Sequence, residues 1–252
     1  MDNPNKVVII VGPARSGTTF LASLIQGGSI LYLEEPNLIW SYRNYNQDHD
    51  QLNKDDARNE VTQYIRKRFF GKLVRANKEI LLEKTPATCL RLPFVEAIFP
   101  EAKYIFLERD VCQIANSAER KWLSEIDSNT KRIYGEGKNH RFRQVVLQAK
   151  KLFDAPLVDW VHYGKRIFSE MAFMLFGVRR RVWGPRYIGI KEDLKVSPIN
   201  VVCKKQAEIC LEMARSFRDE LPPHKYIVVS YDDLKSKPLQ VRDCVQGFMG
   251  LH

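Results

Sequence analysis

No apolar run in this 252-residue chain approaches the roughly 20 residues that a membrane-spanning helix needs. The apolar run Val7–Val11 is too short for a secretory signal and leads straight into a glycine-rich turn, so a cytoplasmic location is the expectation. Cysteine is scarce. The five present (Cys89, Cys112, Cys203, Cys210 and Cys244) are odd in number and scattered, with no C-x-x-C pair and no Cys/His cluster. That spacing argues against a disulfide framework and a zinc site; the thiols are expected to be reduced and mostly buried, and no metal is expected. Internal repeats, low-complexity tracts and Pro/Gly/Ser linkers are also missing, which leaves one domain over residues 1–252 as the simplest division.

What remains is ample material for a core. Apolar residues make up 44% of the chain, and the formal net charge of +10 suits an anionic ligand. Basic residues are nevertheless spread along the sequence. Dense patches occur only at Arg66-Lys67-Arg68 and Arg179-Arg180-Arg181, and no DNA- or RNA-reading motif accompanies them, so nucleic acid is not an expected partner. A solvated basic face accounts for Arg66–Arg68.

Five short runs predict strands: Val7–Val11, Ile30–Leu33, Ile80–Leu82, Tyr104–Leu107 and Tyr226–Ser230. Each is followed by helical periodicity or turn chemistry, the pattern of a parallel sheet covered on both faces. The expected fold is therefore α/β in three layers, a P-loop-like central parallel sheet flanked by helices. The first helix should begin near Thr18, bury Phe20, Leu21, Leu24 and Ile25, and stop at Gly27-Gly28. A long helix is expected over about Asp55–Asn77 with Val61, Ile65 and Phe69 inward, another after Pro86, and one capped by Asp110. Later helices are expected around Lys204–Glu220 and near Val241–Met249. Between them, residues 126–197 lose the strand signal. Lys138–Leu152 and Leu157–Phe176 read as helical and Arg179–Lys191 as a loop, together a helical substrate cover over the carboxyl edge of the sheet.

The segment Gly12-Pro13-Ala14-Arg15-Ser16-Gly17-Thr18-Thr19 follows the first strand and fits G-x-x-x-x-G-x-[ST]. A strand emptying through a glycine-rich turn into a helix gathers backbone N–H groups and the positive helix end around an anion. One residue breaks the pattern. Thr18 stands where nucleoside-triphosphate hydrolases carry the lysine that bridges the terminal phosphates, and the nearest cation is Arg15. A P-loop nucleotide kinase or NTP-binding protein is thus the second choice. Its magnesium-holding aspartate would have to come from Glu108-Arg109-Asp110, beside an arginine. That same strand end supplies Arg109, with Ser117 eight residues on, a cation and a hydroxyl able to grip a second phosphate. A third segment, Tyr231-Asp232-Asp233-Leu234, follows the last strand, with Pro238 and Phe248-Met249-Gly250-Leu251 beyond.

Taken together, Pro13–Thr19, Arg109/Ser117 and Tyr231–Leu251 resemble the sulfotransferases that use 3′-phosphoadenosine-5′-phosphosulfate (PAPS). The resemblance implies that Ala14, Arg15, Ser16, Gly17, Thr18 and Thr19 bind the 5′-phosphosulfate and that Arg109 and Ser117 bind the 3′-phosphate. It implies PAPS as co-substrate, its 3′,5′-bisphosphate (PAP) as product, and a hydroxyl-bearing small molecule or glycan as acceptor. With arginine in the loop the chain is most similar to carbohydrate-type and protein-tyrosine-type members, in which a glutamate beyond the loop serves as base. Glu34-Glu35-Pro36 stands there. Neighbouring strand residues point to opposite faces, so one carboxylate should enter the site; Glu35 is favoured and Glu34 is the alternative. Helix capping by these carboxylates is the plainer reading. Glu83-Lys84-Thr85-Pro86 resembles a stretch of heparan-type members whose lysine reaches the reaction centre, which gives Lys84 a catalytic role beside Arg15, or else a surface ion pair. His140 and His162 do not stand at the family's histidine position and are not taken as bases. Trp160, Tyr163, Trp183, Arg186 and Tyr187 are candidates for an acceptor pocket, although packing explains Trp160 and Tyr163 equally well.

Overall fold

The computed structural model describes residues 6–133 and 182–251, the side chains of 126–133 excepted. Its centre is one sheet of five parallel strands: β1 (Lys6–Val11), β2 (Ile30–Glu34), β3 (Ile80–Lys84), β4 (Lys103–Glu108) and β5 (Tyr226–Ser230). The order across the sheet is β2-β3-β1-β4-β5. β1 pairs with β3 (Val8 beside Leu82) on one side and with β4 (Ile10 beside Ile105) on the other. All five strands fall where the apolar runs predict them. The reason is burial on both faces, which demands unbroken Val/Ile/Leu rather than alternation.

Alternate residues of each strand feed two cores. Val7, Ile9 and Val11 join Leu81, Tyr104 and Phe106 in the larger one. It is closed by α2 (Asn37–Trp40), α3 (Asn59–Arg75), α4 (Leu92–Ile98), α5 (Val111–Ile133), α6 (Ile190–Val196) and α7 (Ile199–Asp219). Trp40 anchors it, its ring edge-on to Phe69 at 5.0 Å and to Phe99 at 6.0 Å. Val8, Ile10, Leu82, Ile105 and Leu107 face the other way, under α1 (Thr18–Ile25), α8 (Tyr231–Ser236) and α9 (Pro238–Met249). These are the three layers expected.

Local differences have local causes. α1 buries Thr18, Leu21, Ala22 and Ile25, a stripe at i, i+3, i+4 and i+7. Phe20 lies off that stripe and is 45% exposed, contrary to expectation. The helix expected from Asp55 starts at Asn59, because a separate 3₁₀ turn (Lys54–Asp56), boxed by Asn53 and Asp56, precedes it. A second 3₁₀ turn, Pro86–Leu90, stands between β3 and α4. Asp110 does cap α5, accepting from the Gln113 N–H at 2.9 Å. α5 runs past residue 126, where the strand signal fades, and α6 takes in Ile190 and Lys191, the last two residues of the expected loop. The helices expected at 138–152 and 157–176, together with His140, His162, Trp160, Tyr163 and Arg179–Arg181, lie outside the described residues.

A polar latch ties the segment before α6 to the loop after α2. Asp50 accepts from Arg186 Nη2 at 2.6 Å and from the Arg186 N–H at 2.8 Å, while its own N–H donates to the Arg186 carbonyl at 2.7 Å. Gln51 accepts from the Ile188 N–H, and buried Gln206 of α7 donates to the carbonyls of Trp183 and Pro185. Burial pushes the Asp50 carboxyl up, but the Arg186 hydrogen bonds and charge outweigh it and hold it below the usual carboxylate range. Asp50→Asn is expected to cost about 2–4 kcal/mol in a denaturant titration at neutral pH, because it removes the carboxylate facing a mostly buried guanidinium. A depressed folded-state pKa stabilises above the unfolded value, near 4 for aspartate, and that contribution fades as pH falls through the folded value. The gap between wild type and variant should therefore be constant above about pH 4 and narrow below it.

Candidate active site

The chain passes from β1 outward to β2, returns to β3, and then crosses to β4 on the far side of β1. β1 and β4 stay paired, but the connections leaving their carboxyl ends run to opposite faces, to α1 and α5, a switch point where open α/β sheets form a crevice. The loop Gly12–Gly17 leaves β1 there. A Cβ on Gly12 would stand 2.6 Å from Ser16 Oγ and 2.9 Å from Thr18 Cγ2, so the turn closes only around glycine. Ser16 is fully buried, its hydroxyl donating to the Pro13 carbonyl at 2.8 Å, and Ala14 and Thr18 are buried as well. Their side chains build the loop; what the loop presents outward is backbone, together with exposed Arg15 and Thr19. Arg15 holds φ +73°, a left-handed conformation uncommon for a side-chain-bearing residue. α1 follows with no side-chain cap and no acidic residue in its first turn, so its own first turn leaves its positive end uncompensated.

β4 delivers the second corner. Arg109 Nη1 donates to the Arg15 carbonyl at 2.8 Å, its Nε donates to Gln113 Oε1 at 3.2 Å, and Arg15 Nε donates to Ser117 Oγ at 3.1 Å. The loop arginine and the Arg109/Ser117 pair are thus in direct contact. Arg109 forms no ion pair with the adjacent Glu108 or Asp110 among the described residues. Glu108 is engaged by Arg218 at 2.7 Å and Arg215 at 3.6 Å, and Asp110 by its helix cap. Glu108, so held, is also a poor metal ligand for kinase chemistry. Tyr231, at the end of β5, lays its ring 3.8 Å from the Arg109 guanidinium carbon. Sequence reasoning gave Tyr231 no role beyond its motif and missed Gln113, whose signal was its position one helical turn beyond Arg109.

The third corner lies across β1, at the ends of β2 and β3. Lys84, 2% exposed, sits in register with Ile10 and places Nζ 3.1 Å from Glu34 Oε1 and 3.2 Å from Glu35 Oε1. Alternation along a strand does not separate these carboxylates, contrary to expectation. β2 ends at Glu34, and Glu35 turns to φ +49°, which swings its side chain back to the same lysine. Neither carboxylate caps α2, whose start has no side-chain cap. Lys84 forms an ion pair as the plainer reading had it, but from a buried lysine to two half-exposed carboxylates. Glu83 points to the opposite face, where it accepts from Trp40 Nε1 at 3.0 Å and from Thr85 Oγ1, and burial pushes its carboxyl up. Of the acceptor-pocket candidates, Tyr187 is buried with its hydroxyl donating to Asp193 at 2.5 Å, Arg186 belongs to the Asp50 latch, and Trp183 packs near Trp122. They are scaffold.

Comparison with known proteins bears on this arrangement. Residues 7–150, more than half of the chain, match the model of the sulfotransferase family. No curated protein is significantly similar in sequence. Among solved structures, the sulfotransferase domain of the Synechococcus PCC 7002 olefin synthase is similar with a TM-score of 0.54 and 17% identity, covering 100% of this chain and 75% of that one. The sulfotransferase domain from the curacin biosynthetic pathway gives 0.52 and 17%, covering 99% and 75%. A sulfotransferase from Alicyclobacillus acidocaldarius gives 0.53 and 16%, covering 100% and 83%. At such identities the structures speak for the fold, and the family match speaks for the class. This chain belongs to the sulfotransferase family and is an enzyme of that class.

Proposed function

We propose that the protein transfers the sulfuryl group of 3′-phosphoadenosine-5′-phosphosulfate to a hydroxyl on a small molecule or glycan, by in-line displacement. The observation that carries this reading is the hydrogen-bonded contact of Arg15 with both Arg109 and Ser117, which joins two phosphate-binding corners into one surface. An ordinary nucleoside triphosphate needs no second clamp of this kind. The residues also fit a bisphosphorylated donor on other grounds: a turn too tight for any Cβ at Gly12, an uncapped helix start, and Arg15 and Arg109 without a carboxylate partner among the described residues.

In this reading Arg15 and the backbone of Ser16, Gly17, Thr18 and Thr19, with Ala14 shaping the turn, hold the 5′-phosphosulfate. Arg109 and Ser117 hold the 3′-phosphate. The donor supplies a sulfuryl group attached to a phosphate leaving group. Glu35 takes the proton of the acceptor hydroxyl as its oxygen bonds to sulfur, and Lys84 and Arg15 steady the charge on the phosphate oxygen as the old S–O bond breaks. Lys84 also orients the base, since its Nζ lies 3.2 Å from Glu35. Glu34 shares that lysine at 3.1 Å and is the alternative base. The acceptor stays a hydroxyl compound of unspecified skeleton, and a location in the cytoplasm belongs to the same proposal; among the described residues no helix is long and apolar enough to cross a membrane.

Isothermal titration with 3′,5′-adenosine bisphosphate against ATP separates this reading from NTP chemistry: the bisphosphate should win, and a preference for ATP overturns it. Arg109→Ala should weaken the bisphosphate by about 1.5–3 kcal/mol, the scale of a hydrogen bond to a charged group. Glu35→Gln should leave that affinity nearly intact while lowering turnover about 10²-fold or more in a labelled-donor assay. Normal turnover in Glu35→Gln, with loss in Glu34→Gln, would hand the base to Glu34.

A further inference from the structure

Both corners assigned to the donor touch one side chain that binds neither phosphate in the reading above. Tyr231 opens α8 directly after β5. Its ring lies beneath Arg109, 3.8 Å from the guanidinium carbon, close enough for face contact and cation–π attraction. The edge of the same ring presses on the loop: a Cβ on Gly17, which holds φ +105°, would stand 2.8 Å from Tyr231 Cδ2 and Cε2. The ring, not the hydroxyl, makes both contacts.

The consequence for Arg109 follows from counting donors. A guanidinium carries five N–H groups in one plane. Nε is spent on Gln113 and one Nη1 hydrogen on the Arg15 carbonyl. Three hydrogens are left over, one on Nη1 and two on Nη2, and a ring against the face stops the plane from rocking about those two bonds. Resting on the donor reading, we infer that Tyr231 is a positioning residue for the nucleotide site. It sets the plane of Arg109 and the seat of Gly17 together, so that the spacing between the 3′-phosphate clamp and the 5′ loop is fixed before the donor arrives. Preorganisation of this kind appears as affinity, because less ordering is left to binding.

The test uses the full chain, with Tyr231→Phe and Tyr231→Leu made alone and in an Arg109→Ala background. Titration with 3′,5′-adenosine bisphosphate should give about tenfold weaker binding for Tyr231→Leu, and rescue to within about twofold of wild type by Tyr231→Phe, which keeps the ring. With Arg109 already removed, Tyr231→Leu should cost less than about threefold more, the non-additivity of residues that act through one another. Equal loss in the Phe and Leu variants would assign the effect to the hydroxyl and overturn the inference, as would full additivity with Arg109→Ala. A ligand-free readout separates this outcome from failure of the donor reading. The Nε–Hε resonance of Arg109, assigned through Arg109→Lys, should be displaced upfield by the ring in wild type and in Tyr231→Phe, and return toward the free-arginine position in Tyr231→Leu. An unmoved resonance sinks the positioning role. A wild type that ignores the bisphosphate sinks the donor reading and the inference resting on it, even where the resonance moves.

Discussion

Two arginines held together at the end of the sheet, with no carboxylate paired to either among the described residues, are the constraint on which the rest depends. Arg109 donates to the carbonyl of Arg15, and Arg15 in turn donates to Ser117. Arg109 thus touches the Arg15 backbone and not its guanidinium, and both positive charges stay on the same end of the sheet. Arg15 also holds φ +73°, a strained conformation of the kind that clusters at ligand clamps. The nearby acids are occupied elsewhere: Glu108 by Arg218 and Arg215, Asp110 by the first turn of α5. The site is thus electropositive by arrangement and not simply through the net charge of +10, which is spread along the chain.

The fold makes this possible through strand order. β3 and β4 flank β1, so their ends stand about 10 Å apart, two interstrand spacings. The Arg109 corner occupies one flank, the Lys84–Glu34–Glu35 corner the other, and the Arg15 loop the middle. A donor gripped from the β4 side would offer its reactive end toward the β3 side, where the carboxylates are. Charge follows the same division. On the β4 side Arg109 has no partner of opposite sign among the described residues, whereas the β3 side has two carboxylates on one buried lysine, which in the proposed reading suits a neutral acceptor that must lose a proton.

How much of this was legible in the sequence depended on the range of the interaction involved. Strands buried on both faces write themselves as apolar runs, so all five could be read directly, and Asp110 could be read as a cap because capping is a matter of three residues. The loop and the Arg109/Ser117 pair were legible as spacing. Contact between Arg15, Arg109 and Ser117 was not, since it joins residues about a hundred positions apart through the pairing of β1 with β4. Phe20 was misplaced because a hydrophobic residue was counted toward the buried stripe on composition, when helix phase puts it outside. The pair Glu34 and Glu35 was misjudged for a sharper reason. Alternation holds only while the strand lasts, and the backbone at Glu35 leaves the extended region. Ser16 and Thr18 belong to the loop as expected, and with their side chains buried in the turn it is the backbone that carries the anion-binding chemistry of such a loop.

Position 18 ties these threads together. A lysine there would reach over the loop toward the terminal phosphates of a nucleotide, the task it performs in triphosphate hydrolases. Thr18 instead packs its methyl against Gly12 and begins α1, leaving the cationic task to Arg15, three residues earlier and on the exposed bend. From that bend Arg15 can be reached from the β4 side, by Arg109 and Ser117, which a residue inside the helix start could not be. Moving the charge from helix to bend therefore couples the loop to Arg109 and Ser117, the proposed 3′-phosphate clamp. A ligand carrying phosphate at both ends of an adenosine matches that coupling better than one carrying its phosphates in a single chain.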